Sequence, residues 1–164
     1  MPNWSRLLRA AARVRRNAYA PYSRFPVGAA VLARGRIFTG CNVENSSFPL
    51  CVCAERNAVA AAVAAGEARI DAVAVIGGGG RPTPPCGGCR QVLAELCAPD
   101  APIVYATPGG ERVETTMGAL LPAAFGPGDL KEAAGGSRSK PGRRASPGTP
   151  RSADRARASR TSGR

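Results

Sequence analysis

Three cysteines and one glutamate are the residues of this 164-residue chain best suited to chemistry: Cys53-Ala54-Glu55, then Pro85-Cys86-Gly87-Gly88-Cys89. Cys86 and Cys89 stand three apart where a helix is expected to begin, so both sulfurs share one face and reach one ion. A helix start carries partial positive charge and free N–H groups, which favour the metal-binding thiolate. Cys53 also precedes a helical run, so two helix starts aimed at one point supply three thiolates. Three protein ligands leave a tetrahedral zinc ion one open position, the arrangement that activates water, whereas structural sites fill all four. Glu55, two residues from a ligand, is placed to move that water's proton without binding the metal. Three thiolates and Zn²⁺ sum to −1, and Arg56 or Arg90 could relieve that charge. Spacing alone also permits a closed four-cysteine site in which Cys51 joins the others. Cys41 and Cys97 suit ordinary small packing positions.

Elements must hold these groups in place. Trp4, Leu7, Leu8, Ala11, Ala12 and Val14 recur at helical spacing between arginines, predicting an amphipathic helix that ends near Tyr19-Ala20-Pro21. Val27 to Leu32 and Ile37 to about Cys41 read as two strands joined at Arg34-Gly35, a hairpin. Asn42 to Leu50 is a polar loop. An alanine-rich helix runs from Cys53 to Ala65 and stops at Gly66. Ala72 to Ile76 is a continuous apolar run, the pattern of a strand covered on both faces. A loop from Gly77 to Pro85 leads into a helix from about Cys86 to Cys97. Strands follow at Ile103–Ala106 and Arg112–Glu114, and Thr116 caps a short helix through Leu121. The pattern is a sheet with helices packed on it, entered through an antiparallel hairpin.

Composition bounds the rest. Apolar residues make up 44% of the chain and aromatics 5%, so the core is Ala, Val, Leu and Ile. No secretory signal is legible at Met1-Pro2-Asn3-Trp4, and no segment has the roughly 20 apolar residues that span a bilayer. Clustered cysteines then point to metal or catalysis in a reducing cytoplasm. Of the net charge of +12, residues 1–125 carry 13 Arg against 8 acidic residues, and residues 126–164 carry 10 Lys/Arg against 3. The expected division is a catalytic domain over 1–128 and a basic, Gly/Ser/Pro/Arg-rich disordered tail over 129–164. Such a tail makes at most nonspecific contacts with nucleic acid.

Longer motifs carry a resemblance. Tyr19-Ala20-Pro21-Tyr22-Ser23-Arg24-Phe25-Pro26-Val27-Gly28-Ala29-Ala30, Gly40-Cys41-Asn42-Val43-Glu44-Asn45, Cys53-Ala54-Glu55-Arg56, Pro85-Cys86-x-x-Cys89 and Leu120-Leu121-Pro122-Ala123-Ala124-Phe125 together resemble the small, homotetrameric zinc-dependent cytidine deaminases. Pro26 and Ala123 depart from that pattern, where a polar residue and a glycine are expected. The resemblance implies a three-layer α/β/α fold of the cytidine-deaminase type, with a mixed five-stranded sheet and an N-terminal antiparallel hairpin. It implies hydrolytic deamination of cytidine and deoxycytidine in pyrimidine salvage, with one zinc per subunit on Cys53, Cys86 and Cys89 and Glu55 as the catalytic proton carrier. Asn42 and Glu44 would hydrogen-bond ribose hydroxyls, Phe25 would pack on the pyrimidine, and Arg56 would hydrogen-bond the thiolates. Phe125 would cross a subunit boundary to complete a neighbour's site in a tetramer. Two rival readings are a deaminase of another cytosine compound, such as blasticidin S, and a non-catalytic zinc-stabilised nucleic-acid-binding module.

Overall fold

The computed structural model describes residues 1–130; the expected tail lies outside the described residues except for 129 and 130, which belong to a helical turn at 127–130. The order of elements is α1 (Trp4–Arg15), β1 (Gly28–Ala33), β2 (Arg36–Cys41), α2 (Ala54–Ala64), β3 (Ala72–Ile76), α3 (Gly87–Leu96), β4 (Pro102–Ala106), β5 (Arg112–Thr116) and α4 (Met117–Leu120), with a 3₁₀ turn at Phe48–Leu50. The strands form one sheet in the order β2-β1-β3-β4-β5. Only β3 and β4 are parallel; the other neighbours are antiparallel, including the β1–β2 hairpin. No helix among the described residues is long and apolar enough to cross a membrane.

Strand alternation divides the core between the two faces of the sheet. Leu7 and Ala11 of α1 pack on Ala30, Ala74, Ile76 and Ala106. On the other face Ala54, Ala58, Val59 and Ala62 of α2 and Leu93 of α3 meet Ala29, Val31, Val73, Val75 and Ile103. All five residues of β3 are buried, as its unbroken apolar run predicts. Both flanking helices lie unusually close to the sheet because glycine stands beneath them. A Cβ on Gly28 would sit 2.1 Å from the Ala11 carbonyl oxygen, and one on Gly40 would sit 2.3 Å from the Ala58 nitrogen. Those clashes are with backbone, so a side chain at either position would push its helix away, a change that costs on the order of 1–3 kcal/mol in a packed core.

Helix α1 starts where the Asn3 Oδ1 accepts from the Arg6 N–H at 3.1 Å. It ends at Arg15, earlier than its pattern predicts. The chain leaves the helix there because Tyr19 is drawn into a bridge beside Val43: its N–H donates to the Asn42 carbonyl at 3.0 Å, and its carbonyl accepts from Glu44 at 2.8 Å. Thr116 caps α4 as expected, its hydroxyl accepting from the Ala119 N–H at 3.3 Å.

Candidate functional site

Two helix starts meet at the α2/α3 face. Cys53 is the residue immediately before α2 and Cys86 the residue immediately before α3; Cys89 lies in the first turn of α3. Their three sulfurs all lie within 4.8 Å of one another, and Cys53 Sγ is 3.9 Å from Cys86 Sγ. Zn–S bonds of 2.3 Å at tetrahedral angles place sulfurs about 3.8 Å apart, so Cys53 and Cys86 already stand at that spacing and the trio suits a zinc ion. Cys51 is turned away. Its sulfur accepts from the Asn45 N–H at 3.3 Å and donates to the Asn45 carbonyl at 3.6 Å. Among the described residues no fourth His, Cys, Asp or Glu joins the cluster.

The Cys53 thiol is already poised to release its proton. A hydrogen bond from Cys89 is the main reason the Cys53 thiol falls to about 6, helped by Cys86 and the Arg56 charge against burial and Glu55. The same hydrogen bond, with burial, pushes Cys89 far up. The two sulfurs therefore share one proton that a metal would displace. Glu55, in the first turn of α2, is 5% exposed. Burial raises its pKa, and the helix N–H and the Cys89 thiol offset this only in part.

A cavity of about 400 Å³ opens beside the sulfurs, within the ~300–1,000 Å³ typical of small-molecule sites. It lies at the carboxyl end of β3, where Val75 and Gly77 line it. Phe25, Asn42, Glu44, Cys53, Glu55 and Cys86 share its wall. Asn42 is locked at the rim: its Oδ1 accepts from Val27 N–H at 2.8 Å and its Nδ2 donates to the Phe25 carbonyl at 3.0 Å. Glu44 accepts from the N–H groups of Tyr22 at 2.9 Å and Ser23 at 3.2 Å, and from the Ser23 hydroxyl. The Ser23 hydroxyl bond is the leading reason its carboxyl sits below the ordinary range. The turn chemistry these residue types favour is thus present, and it holds both side chains at the cavity mouth.

The remaining expected residues lie at the margin. Arg56 is exposed, and no hydrogen bond links its guanidinium to the sulfurs among the described residues; it acts on Cys53 by charge. Arg90 is committed elsewhere, donating to the carbonyls of Pro85 at 2.8 Å and Leu120 at 3.1 Å, which ties the start of α3 to the end of α4. Phe125 is 59% exposed and does not line this cavity; its carbonyl is held by Gln91 Nε2 at 2.7 Å. Cys97 is buried, which lifts its thiol to about 12 and leaves it inert. Residue-by-residue reading missed Ser23, Thr83 and Pro84 as cavity wall. Ser23 beside the Phe25 motif was the available signal; the Gly77–Pro85 loop carried none.

Comparison with known proteins agrees with this geometry. Residues 1–106 match the family model described as the cytidine and deoxycytidylate deaminase zinc-binding region. The chain is 45% identical over 130 residues to a cytidine deaminase of Sporosarcina psychrophila, covering 79% of this chain and 96% of that protein. It is likewise 45% identical over 129 residues to a cytidine deaminase of Mycobacterium tuberculosis, covering 78% and 93%. The crystal structure of cytidine deaminase from Burkholderia pseudomallei superposes with a TM-score of 0.72 at 47% identity, covering 76% of this chain and all of that one. A trio of sulfurs at two helix starts, a buried carboxyl beside them and these matches across most of the chain lead to one conclusion: the protein belongs to the cytidine deaminase family of zinc-binding deaminases.

Proposed function

We propose that this chain hydrolyses the 4-amino group of cytidine and deoxycytidine, yielding uridine and deoxyuridine with release of ammonia. One observation carries the reading: the cavity that reaches Cys53 and Cys86 also holds the Glu55 carboxyl, the Phe25 ring and two polar groups at its mouth. Cys53, Cys86 and Cys89 would hold one zinc per subunit, which supplies a Lewis acid able to make water nucleophilic near neutral pH. Glu55 accepts the proton of the attacking water and passes it to N3 of the pyrimidine, then takes a second proton from the hydroxyl added at C4 and delivers it to the departing amine as the C4–N bond breaks and the carbonyl forms. A carboxyl with a pKa raised by burial suits a group that must be base and acid in turn. Phe25 packs on the pyrimidine. Asn42 and Glu44 hydrogen-bond the ribose, the carboxylate of Glu44 kept ionised and aimed by Ser23.

Arg56 draws charge from the thiolates. Phe125, exposed and outside its own chain's cavity, completes the site of a neighbour in a homotetramer. Six free cysteines suit a reducing cytoplasm, where the reaction would serve pyrimidine salvage. Residues 1–128 form the catalytic unit, with a basic tail from 129. The test is the fall in ultraviolet absorbance and the ammonia released when cytidine is added to the zinc-loaded protein. Cytidine and deoxycytidine should be consumed, while blasticidin S and a cytosine-containing oligonucleotide, whose internal 3′ and 5′ oxygens are tied up in phosphodiesters, should persist. Consumption of either of the last two in preference to cytidine would overturn the assignment.

A further inference from the structure

A wide groove opens on the opposite face of the sheet from the sulfurs. It occupies about 750 Å³ between α1 and the edge strand β2. Arg6, Arg9, Arg13 and Arg16 line it, with Ile37 and Thr39 from β2. Steps of three, four and three residues put all four guanidiniums on one stripe of the helix. The stripe runs about 15 Å at the rise of an α-helix. All four residues are exposed. Among the described residues none of them forms an ion pair; the three pairs present use Arg36, Arg69 and Arg112. Their neighbour Arg15 is different, since it is spent on the Pro26 carbonyl at 3.0 Å. Counter-charge is also missing locally, because eight arginines and no acidic residue precede Glu44. Like charges three and four apart weaken a helix, so folding alone gives no reason for the row.

The shape of the charge selects the ligand. Positive groups spread along a line match a chain of phosphates, whereas a compact anion needs donors that converge. Guanidinium forks bind phosphate oxygens bidentately. The Ile37 side chain and Thr39 hydroxyl add apolar and hydrogen-bonding surface for sugars, which an inorganic polyphosphate could not use. No aromatic side chain lines the groove, so bases would be neither stacked nor read. A second copy of this chain is a poor occupant, because Glu67, Asp71 and Glu114, three of its few acidic residues, are already paired. One helix and one strand wall the groove, and its four guanidiniums follow a single line, the form of one phosphate chain and not of two. We propose that the α1/β2 groove binds single-stranded nucleic acid through its phosphates, without regard to base sequence and separately from the zinc cavity.

The test is fluorescence anisotropy of a labelled single-stranded RNA of mixed sequence, titrated with the full-length, zinc-loaded protein at several salt concentrations. Each phosphate neutralised on a single strand contributes about 0.7 to the slope of log affinity against log salt, so R9Q/R13Q lowers that slope by about 1.4. The charge-preserving R9K/R13K keeps it. Zinc content of R9Q/R13Q stays at the parent value and its thermal midpoint does not fall, because both side chains are exposed and their mutual repulsion is relieved; should that variant not fold, R6Q/R16Q gives the same reading from the two ends of the row. An unchanged slope in a folded variant would place the contact elsewhere, for example on the basic residues beyond 130, and overturn the proposal. Tighter binding of duplex RNA or of inorganic polyphosphate than of the single strand would overturn it equally, as would no binding at all.

Discussion

The two faces of the sheet use ionisable groups in opposite ways. On the α2/α3 face a few groups are gathered at one point, three sulfurs within 4.8 Å of one another, and the innermost of them leave water: Cys89 is buried and Glu55 is 5% exposed. The proton affinities of Cys53, Cys89 and Glu55 move through mutual contact and burial. On the α1 face Arg6, Arg9, Arg13 and Arg16 are left in solvent, spread along a helix, with no ion-pair partner among the described residues. Burial makes a group reactive by raising the stakes of its charge; exposure makes it available for long-range, salt-sensitive attraction. One domain can therefore hold a chemical site and a charge-based surface with little interference, because the sheet separates them.

Four variants break or sharpen that contrast. Cys86→Ala should have the largest effect, removing a sulfur from the trio, dropping the zinc-to-chain ratio well below parity and abolishing turnover. Cys51→Ala, whose sulfur is engaged with Asn45, should retain both metal and activity. Loss of zinc in Cys51→Ala would return the site to the closed, structural class.

Glu55→Gln comes next, with turnover lowered by about 10²–10⁴-fold, the usual weight of a positioned proton carrier, and zinc retained. It also tests desolvation directly. Because burial raises the folded-state pKa of Glu55 above its unfolded value, the folded state binds the proton more tightly. Stability of the metal-free protein should then fall as pH rises from the unfolded value through the folded one. Glu55→Gln should remove that fall, visible as thermal midpoints that no longer decline across the same interval. An identical decline in both proteins would mean that burial is not what perturbs this carboxyl.

Ser23→Ala should be mildest. Glu44 is held below its ordinary value by the Ser23 hydroxyl, so its ionised form stabilises the folded rim above the unfolded-state pKa, and that contribution is lost as pH falls through the folded one. Without the hydroxyl its titration, followed by NMR, should move upward. KM for cytidine should rise by roughly two- to tenfold with kcat little changed. A change confined to kcat would place Glu44 with the chemistry and not with substrate binding.

Legibility from sequence followed distance along the chain. Cys86 and Cys89 are one helical turn apart, and Glu55 is two residues from Cys53, so local geometry alone predicts their shared target. The Ala72–Ile76 strand was equally plain, since only a strand covered on both faces tolerates such a run. Contacts between distant segments were not legible. The early end of α1 depends on Tyr19 pairing beside Val43, and the aim of Glu44 depends on a hydroxyl 21 residues away. Spacing left Cys51 free to join the metal, and only the loop's hydrogen bonds to Asn45 turn it aside. The arginine spacing was visible from the start, but the concavity it faces needs the neighbouring strand β2.

Gly40 sets the mechanical character of the reaction centre. Helix α2 rests on the sheet through a hydrogen atom at position 40 and the methyl groups of Ala54, Ala58 and Ala62, all three fully buried. At Gly40 no side chain separates the helix that carries Glu55 from the strand beneath it. The proton carrier thus inherits the stiffness of main chain against main chain. Selection for bulkier substrates should accordingly find its room in the loops around Phe25 and Thr83, and leave the floor under this helix untouched.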